Sequence, residues 1–171
     1  MLRMELPEIF HAQKSLPLRP SWLQGDNDRL SLVSPLDIDG VTVEGLRLRV
    51  TAISCRIEEC VTMQIEYFPP KRDVRGGPMA RLEWKPLTGH NNKNCGPMEF
   101  RNVVISGTHH HRFDLNWDEQ SSALRRGNLP IAVPITPDLP SFKTLVDLAS
   151  QEFRISNLGW LPEPLWQARL V

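Results

Sequence analysis

The chain has 171 residues, with 20 Lys/Arg against 20 Asp/Glu, 40% hydrophobic residues and three cysteines. A chain of this length buries a core without disulfide staples, and zero net charge argues against a broad nucleic-acid-binding surface, though not against a local one. No apolar run approaches the ~18 residues of a membrane helix, and the N-terminus lacks a signal-peptide core. A bacterial-type cytoplasmic protein with no membrane association is expected, its Cys55, Cys60 and Cys95 present as reduced thiols.

Residues 1–28 are rich in proline and polar groups, with a weak helical signal around "LPEIFHAQ", and read as an irregular arm. "RLSLVSPLDIDGVTVEGLRLRV" follows as two extended runs around an Asp39-Gly40 turn. The second run changes phase between Val43 and Leu46, so a β-bulge or bend is placed at Gly45. Residues flanking "CRIEEC" read as strand, where a separation of five puts Cys55 and Cys60 on opposite faces; they are taken as structural rather than as a metal clip. "CVTMQIEYF" alternates cleanly, with Val61, Met63, Ile65 and Tyr67 on one side.

"PPKRDVRGGP" (69–78) is a polar loop with two basic clusters, and "ARLEWKPL" is a strand that opposes Leu82 and Trp84 to Arg81, Glu83 and Lys85. The turn-rich "TGHNNKNCGP" leads into a long strand from about Glu99 to Trp117, with Gly107 in its middle. After a polar break, Phe142, Leu145, Val146, Ala149 and Phe153 recur at helical spacing, with Asp138 or Ser141 near the start. Trp160, Leu161, Leu165 and Trp166 close the chain as an apolar tail, docked on the core or on a second subunit in a homodimer. The pattern predicts an α+β fold in one domain spanning 1–171. A curved antiparallel sheet of about five to six strands (29–117) carries one amphipathic C-terminal helix and the docked tail (138–171).

Three of the five histidines stand together in "GTHHHRFDLNW". In a continuous strand, His109 and His111 share a face with Val103, Ile105, Phe113, Leu115 and Trp117, whereas His110 lies among polar groups beside Asp114. Two imidazoles on an apolar face must both satisfy their ring nitrogens, which suggests one wall of an enclosed polar pocket. His90 and Asn92 lie in the loop just before this strand. The basic excess falls here as well: residues 71–126 carry 10 Lys/Arg against 6 Asp/Glu, while 1–70 carry 7 against 10 and 127–171 carry 3 against 4.

Two chemistries fit these residues. In the first, without any cofactor, His90, His109, His111 and Asn92 act on RNA or another phosphodiester. One histidine withdraws a proton, another donates one, and Arg81, Lys85 or Arg112 neutralises the phosphate. In the second, His109 and His111 bind Zn²⁺ or a similar ion with His90 (or Cys95) as third ligand. A non-enzymatic interaction protein, with the tail as docking surface, is the third expectation. The P-loop, the dinucleotide-binding glycine motif, H-E-x-x-H and G-x-S-x-G are all missing. The H-x-H is similar to the first metal motif of cupins, but no glutamate stands at positions 115 or 116. The alternating histidines of the histidine-triad hydrolases are not supplied by "HHH".

Arg81-Leu82-Glu83, His90-Asn91-Asn92 and Thr108-His109-His110-His111 together form an R-[L/I]-[D/E], H-x-N and T-H-x-H series. It resembles a pattern in uncharacterised bacterial families of phage, mobile-element and toxin–antitoxin-like loci. The resemblance covers about a fifth of the chain and implies no particular reaction.

Overall fold

The computed structural model describes residues 4–70 and 76–167. A short helix α1 (Leu6–His11) leads to strands β1 (Lys14–Ser15) and β2 (Leu23–Gln24). Four long strands follow: β3 (Arg29–Ile38), β4 (Val41–Ile53), β5 (Val61–Tyr67) and β6 (Gly77–Trp84). Beyond them come β7 (His90–Asn91), a 3-10 turn at Met98–Phe100, β8 (Val104–Ile105), β9 (His109–His111), helix α2 (Phe113–Asn116), β10 (Trp117–Asp118), β11 (Ala123–Leu124), β12 (Val133–Pro134) and helix α3 (Phe142–Glu152).

The main sheet runs β1-β3-β4-β5-β6-β9-β12, with β2 also paired to β3, and every named pair is antiparallel. This is an α+β arrangement with eight strands rather than five to six. The additional strands are two residues long, too short for alternation to register in sequence. Two of them, with α1, occupy the arm expected to be irregular. The basic residues Lys71, Arg72 and Arg75 of the polar loop lie outside the described residues. Among those described, no helix is long and apolar enough to cross a membrane.

Local chemistry accounts for the long hairpin. Asp39 and Gly40 both take positive φ, 53° and 75°, as the tight turn between β3 and β4 requires. The register then jumps, from Asp37 opposite Thr42 to Pro35 opposite Arg47, so the phase change falls where the sequence indicates. Gly45 sits in this bulge at φ +83°, and a Cβ there would lie 1.9 Å from the Phe68 carbonyl oxygen.

One face of the sheet is apolar: Leu30, Leu32, Leu48, Val50, Met63, Ile65, Leu82 and Trp84 are all at most 1% exposed. α3 covers this face. Ser141 caps it by accepting from the Thr144 amide, and Phe142, Leu145, Val146 and Ala149 turn inward. Trp84 meets the Phe142 ring at 6.5 Å and donates its indole N–H to the Leu139 carbonyl. The tail docks on its own chain: Leu161 is in the core, Trp166 packs edge-on to Phe142, and Trp22 donates to the Pro162 carbonyl.

The turn 54–60 between β4 and β5 contains Cys55 and Cys60, so the strand parity used to separate them does not apply. Both are free thiols, as is Cys95.

Candidate metal centre

The segment expected as one strand from Glu99 to Trp117 is broken into several elements. Gly107 adopts φ +85°, β9 ends at His111, and Phe113 already begins a helix. Parity therefore cannot be carried from Val103 and Ile105 through to Phe113 and Trp117. The register with β6 assigns the faces instead: Arg81 is opposite His111, Leu82 opposite His110, and Glu83 opposite His109. Cross-strand partners share a face. His109 and His111 do share a side, but it is the polar one, with Arg81 and Glu83. His110 is on the apolar side with Leu82, 6% exposed and with its ring 6.4 Å from Phe153. The expectation of His110 among polar groups and an apolar-face His109/His111 pair is thus reversed.

His109 and His111 are nevertheless almost completely buried, 0% and 1% exposed. Chain crossing over the polar face covers them. The β7–β8 hairpin carries His90, paired with Ile105, and the segment Leu129–Ala132 forms a strap beside it. Four side chains grip successive residues of that strap. The His111 Nδ1 lies 2.7 Å from the Leu129 carbonyl oxygen and the His90 Nε2 lies 2.9 Å from that of Pro130. Asn116 exchanges two bonds with the Ile131 backbone, and Asn92 does the same with Ala132.

These contacts settle the tautomers. A carbonyl oxygen only accepts, so each ring nitrogen facing one must carry the proton. His109 Nδ1 likewise donates, to the Gly107 carbonyl at 2.8 Å. In the neutral rings, the nitrogens left with a lone pair are Nδ1 of His90 and Nε2 of His109 and His111. The last two are buried without any hydrogen-bond partner. The three rings converge, with centroids 4.6, 5.1 and 5.7 Å apart, and one nitrogen from each lies within 4.8 Å of the others. Among the described residues this is the one such group, and Cys95 is not part of it.

Glu83 adjoins the group, its carboxylate oxygens 3.4 Å from His109 Nε2 and 3.7 Å from His111 Nε2. His109 beside it, against the effect of burial, holds the Glu83 carboxyl below the usual carboxylate range. Burial works against a charged His109, but Glu83 and the Gly107 carbonyl outweigh it and raise its pKa. At 3.4 Å the contact with Glu83 is an ion-pair distance rather than a well-made hydrogen bond, so this shift reflects the proximity of the carboxylate. Burial and then Arg81 push His111 well down, which keeps that ring neutral.

Arg81 links the centre to the rest of the polar face. Its guanidinium approaches Glu83 at 3.4 Å, donates to Gln64 at 3.0 Å, and reaches Asn128. Gln64 continues to Glu66, which Arg47 and Arg49 clasp. The other expected cations lie elsewhere. Arg112 pairs with Asp114 and, with His110, lines a pocket of about 310 Å³ on the α3 side. Lys85 turns out of β6 at φ +44° and lays its ammonium over Trp84. Asn92, expected as a catalytic group, is 0% exposed, and its amide is committed to Phe100 and Ala132. Glu83 was legible only as a polar-face residue; its position opposite His109 depends on the β6–β9 register. Asn116 and the strap carried no sequence signal.

No protein-family model, curated protein or solved structure matches this chain.

Proposed function

We propose that this protein binds a divalent transition-metal ion of the zinc type through His90, His109 and His111. One observation carries the reading: the buried Nε2 atoms of His109 and His111 have no hydrogen-bond partner, while the opposite nitrogen of each ring donates to a backbone carbonyl. Buried ring nitrogens without a hydrogen-bond partner are costly, and a bound cation removes the cost. Histidine ligands ordinarily donate their second nitrogen to a carbonyl or carboxylate, which fixes the tautomer and aims the ring. The same pattern holds at all three histidines. Arg81 and Glu83, His90 and Asn92, and His109 and His111, from the three pieces of the series, all contribute to this neighbourhood. The free thiols suit the reducing cytoplasm of a bacterium.

The phosphodiester reading is the weaker one. An acid–base histidine must touch its substrate. Here His109 and His111 are at most 1% exposed, and of the three expected phosphate-binding cations only Arg81 stands beside them.

The test is elemental analysis of protein purified without a histidine tag, before and after reconstitution with Zn²⁺. About one ion per chain is expected, lost in the H109A/H111A double variant. Sub-stoichiometric metal after reconstitution overturns the reading. Histidine-dependent cleavage of total RNA in EDTA would restore the phosphodiester alternative.

A further inference from the structure

We infer that the pocket on the α3 side of the sheet binds a small zwitterion of the free amino-acid class, its ammonium held between His110 and Glu152 and its carboxylate on Arg154. The site lies on the opposite face of β9 from His109 and His111 and does not depend on the metal centre.

The pocket, of about 310 Å³, forms where the end of α1, the turn from β9 into α2 and the end of α3 meet. His110 is 6% exposed, and among the described residues neither of its nitrogens has a hydrogen bond. Its Nε2 is buried without a partner, and its Nδ1 stands 3.7 Å from a Glu152 carboxylate oxygen, beyond hydrogen-bond reach. A buried imidazole left unpaired in this way is costly. Burial pushes its pKa down to about 4, so the ring is neutral at ordinary pH. With the proton on Nε2, Nδ1 offers its lone pair on the side of Glu152. An ammonium nitrogen about 2.9 Å from each of the two acceptors fits over their 3.7 Å separation.

Charge selects the class of ligand. Arg112 and Asp114 satisfy each other through two hydrogen bonds. Glu152 and Arg154 do not: among the described residues the Glu152 carboxylate meets no Lys or Arg, and Arg154 meets no acid. Arg154 commits one N–H to the His11 carbonyl, and its other guanidinium donors remain available. Glu152 also ends α3, whose last turn has no basic residue, and a carboxylate at a helix C-terminus is disfavoured by the helix dipole. Lys14 donates to the Phe153 carbonyl but forms no ion pair with this carboxylate. A plain anion in the pocket would face Glu152 and Asp114, and a plain cation would face Arg112 and Arg154. A molecule with one charge of each sign matches both unpaired groups. The wall is already built: Phe10 and Phe113 stack at 4.4 Å with His11 edge-on to both, so little ordering is needed on binding.

Saturation-transfer NMR on the full chain in EDTA, with the common L-amino acids added one at a time, tests this. At least one is expected to bind. Its decarboxylated amine and its deaminated acid should each bind about 10- to 100-fold more weakly, the effect of losing one charge-assisted contact. Glu152→Gln and Arg154→Gln should weaken the same amino acid by a similar factor, whereas Lys143→Gln, on α3 but outside the pocket, should not. Glu152 and Arg154 are both exposed, so these variants are expected to keep the wild-type urea midpoint. Binding of no amino acid, or an amine or acid alone held as tightly as its parent, overturns the zwitterion site. Affinity unchanged in both pocket variants overturns it as well. Because EDTA removes any metal, none of these outcomes bears on the three-histidine centre.

Discussion

Replacing Asn92 by alanine separates a catalytic asparagine from a structural one. Its amide nitrogen donates to the Phe100 and Ala132 carbonyls at 3.0 and 2.9 Å, and its oxygen accepts from the Ala132 amide at 2.9 Å. Truncation leaves those backbone groups without their partner in the interior, where each unsatisfied group costs about 1–3 kcal/mol. The asparagine itself is 0% exposed, so water does not fill the gap at no cost. Removing all three hydrogen bonds, with partial relaxation around the gap, costs about 3 kcal/mol. For a chain of this size that corresponds to a fall in Tm of roughly 6–12 °C. Asn92→Asp is expected to be at least as damaging, because a carboxylate would face two carbonyl oxygens. Urea denaturation of both variants, read by tryptophan fluorescence, measures this. A midpoint within error of wild type for Asn92→Ala would refute the reasoning and restore a chemical role for Asn92.

Two further changes probe the other side of the sheet and the bulge. Burial, and then Arg112, hold the His110 ring at about 4, below its ordinary 6.5. The unfolded chain therefore takes up a proton below about pH 6.5 that the folded chain refuses until about pH 4, and stability falls over that window by up to about 3 kcal/mol. His110→Leu should flatten this part of the pH profile in urea titrations between pH 7 and pH 4.5; an unchanged slope would refute it. Gly45→Ala combines a left-handed backbone with a Cβ 1.9 Å from the Phe68 carbonyl oxygen, and should cost about 3 kcal/mol or more. A wild-type denaturation midpoint for this variant would show that the bulge can rearrange.

How much of the fold is legible in the sequence depends on the length of each periodic run. The four long strands, the Asp39-Gly40 turn, the phase change near Gly45 and the amphipathic α3 all carry several repeats of their own period. The two-residue strands carry none, and that is why the N-terminal arm reads as irregular. At the histidines the difference between expectation and structure has a specific cause. Parity does not carry across Gly107 or beyond Arg112, where the chain leaves the strand, and the apolar residues that suggest an apolar face belong to other elements. Local parity within "HHH" holds because β9 spans just those residues. Which face it presents is decided by the neighbouring strand, through Leu82 opposite His110.

The same register explains how two histidines become buried on a polar face. Glu83 and Arg81 would ordinarily keep that side of β6 in water, and nothing in their alternation calls for a cover. The cover is held by side chains acting as backbone: Asn92 and Asn116 each offer the strap one acceptor and one donor, as a neighbouring strand would. Two of the ring bonds that hold the strap, at Leu129 and Pro130, also fix the tautomers that free His111 Nε2 and His90 Nδ1. Strap and centre are therefore one unit. Loosening the strap through Asn92 should weaken metal binding although Asn92 touches no ligand atom, and removing the metal should speed amide exchange at Ile131 and Ala132. Metal affinity unchanged in a folded Asn92→Ala protein would show that the three rings are aimed by β9 and the β7–β8 hairpin alone.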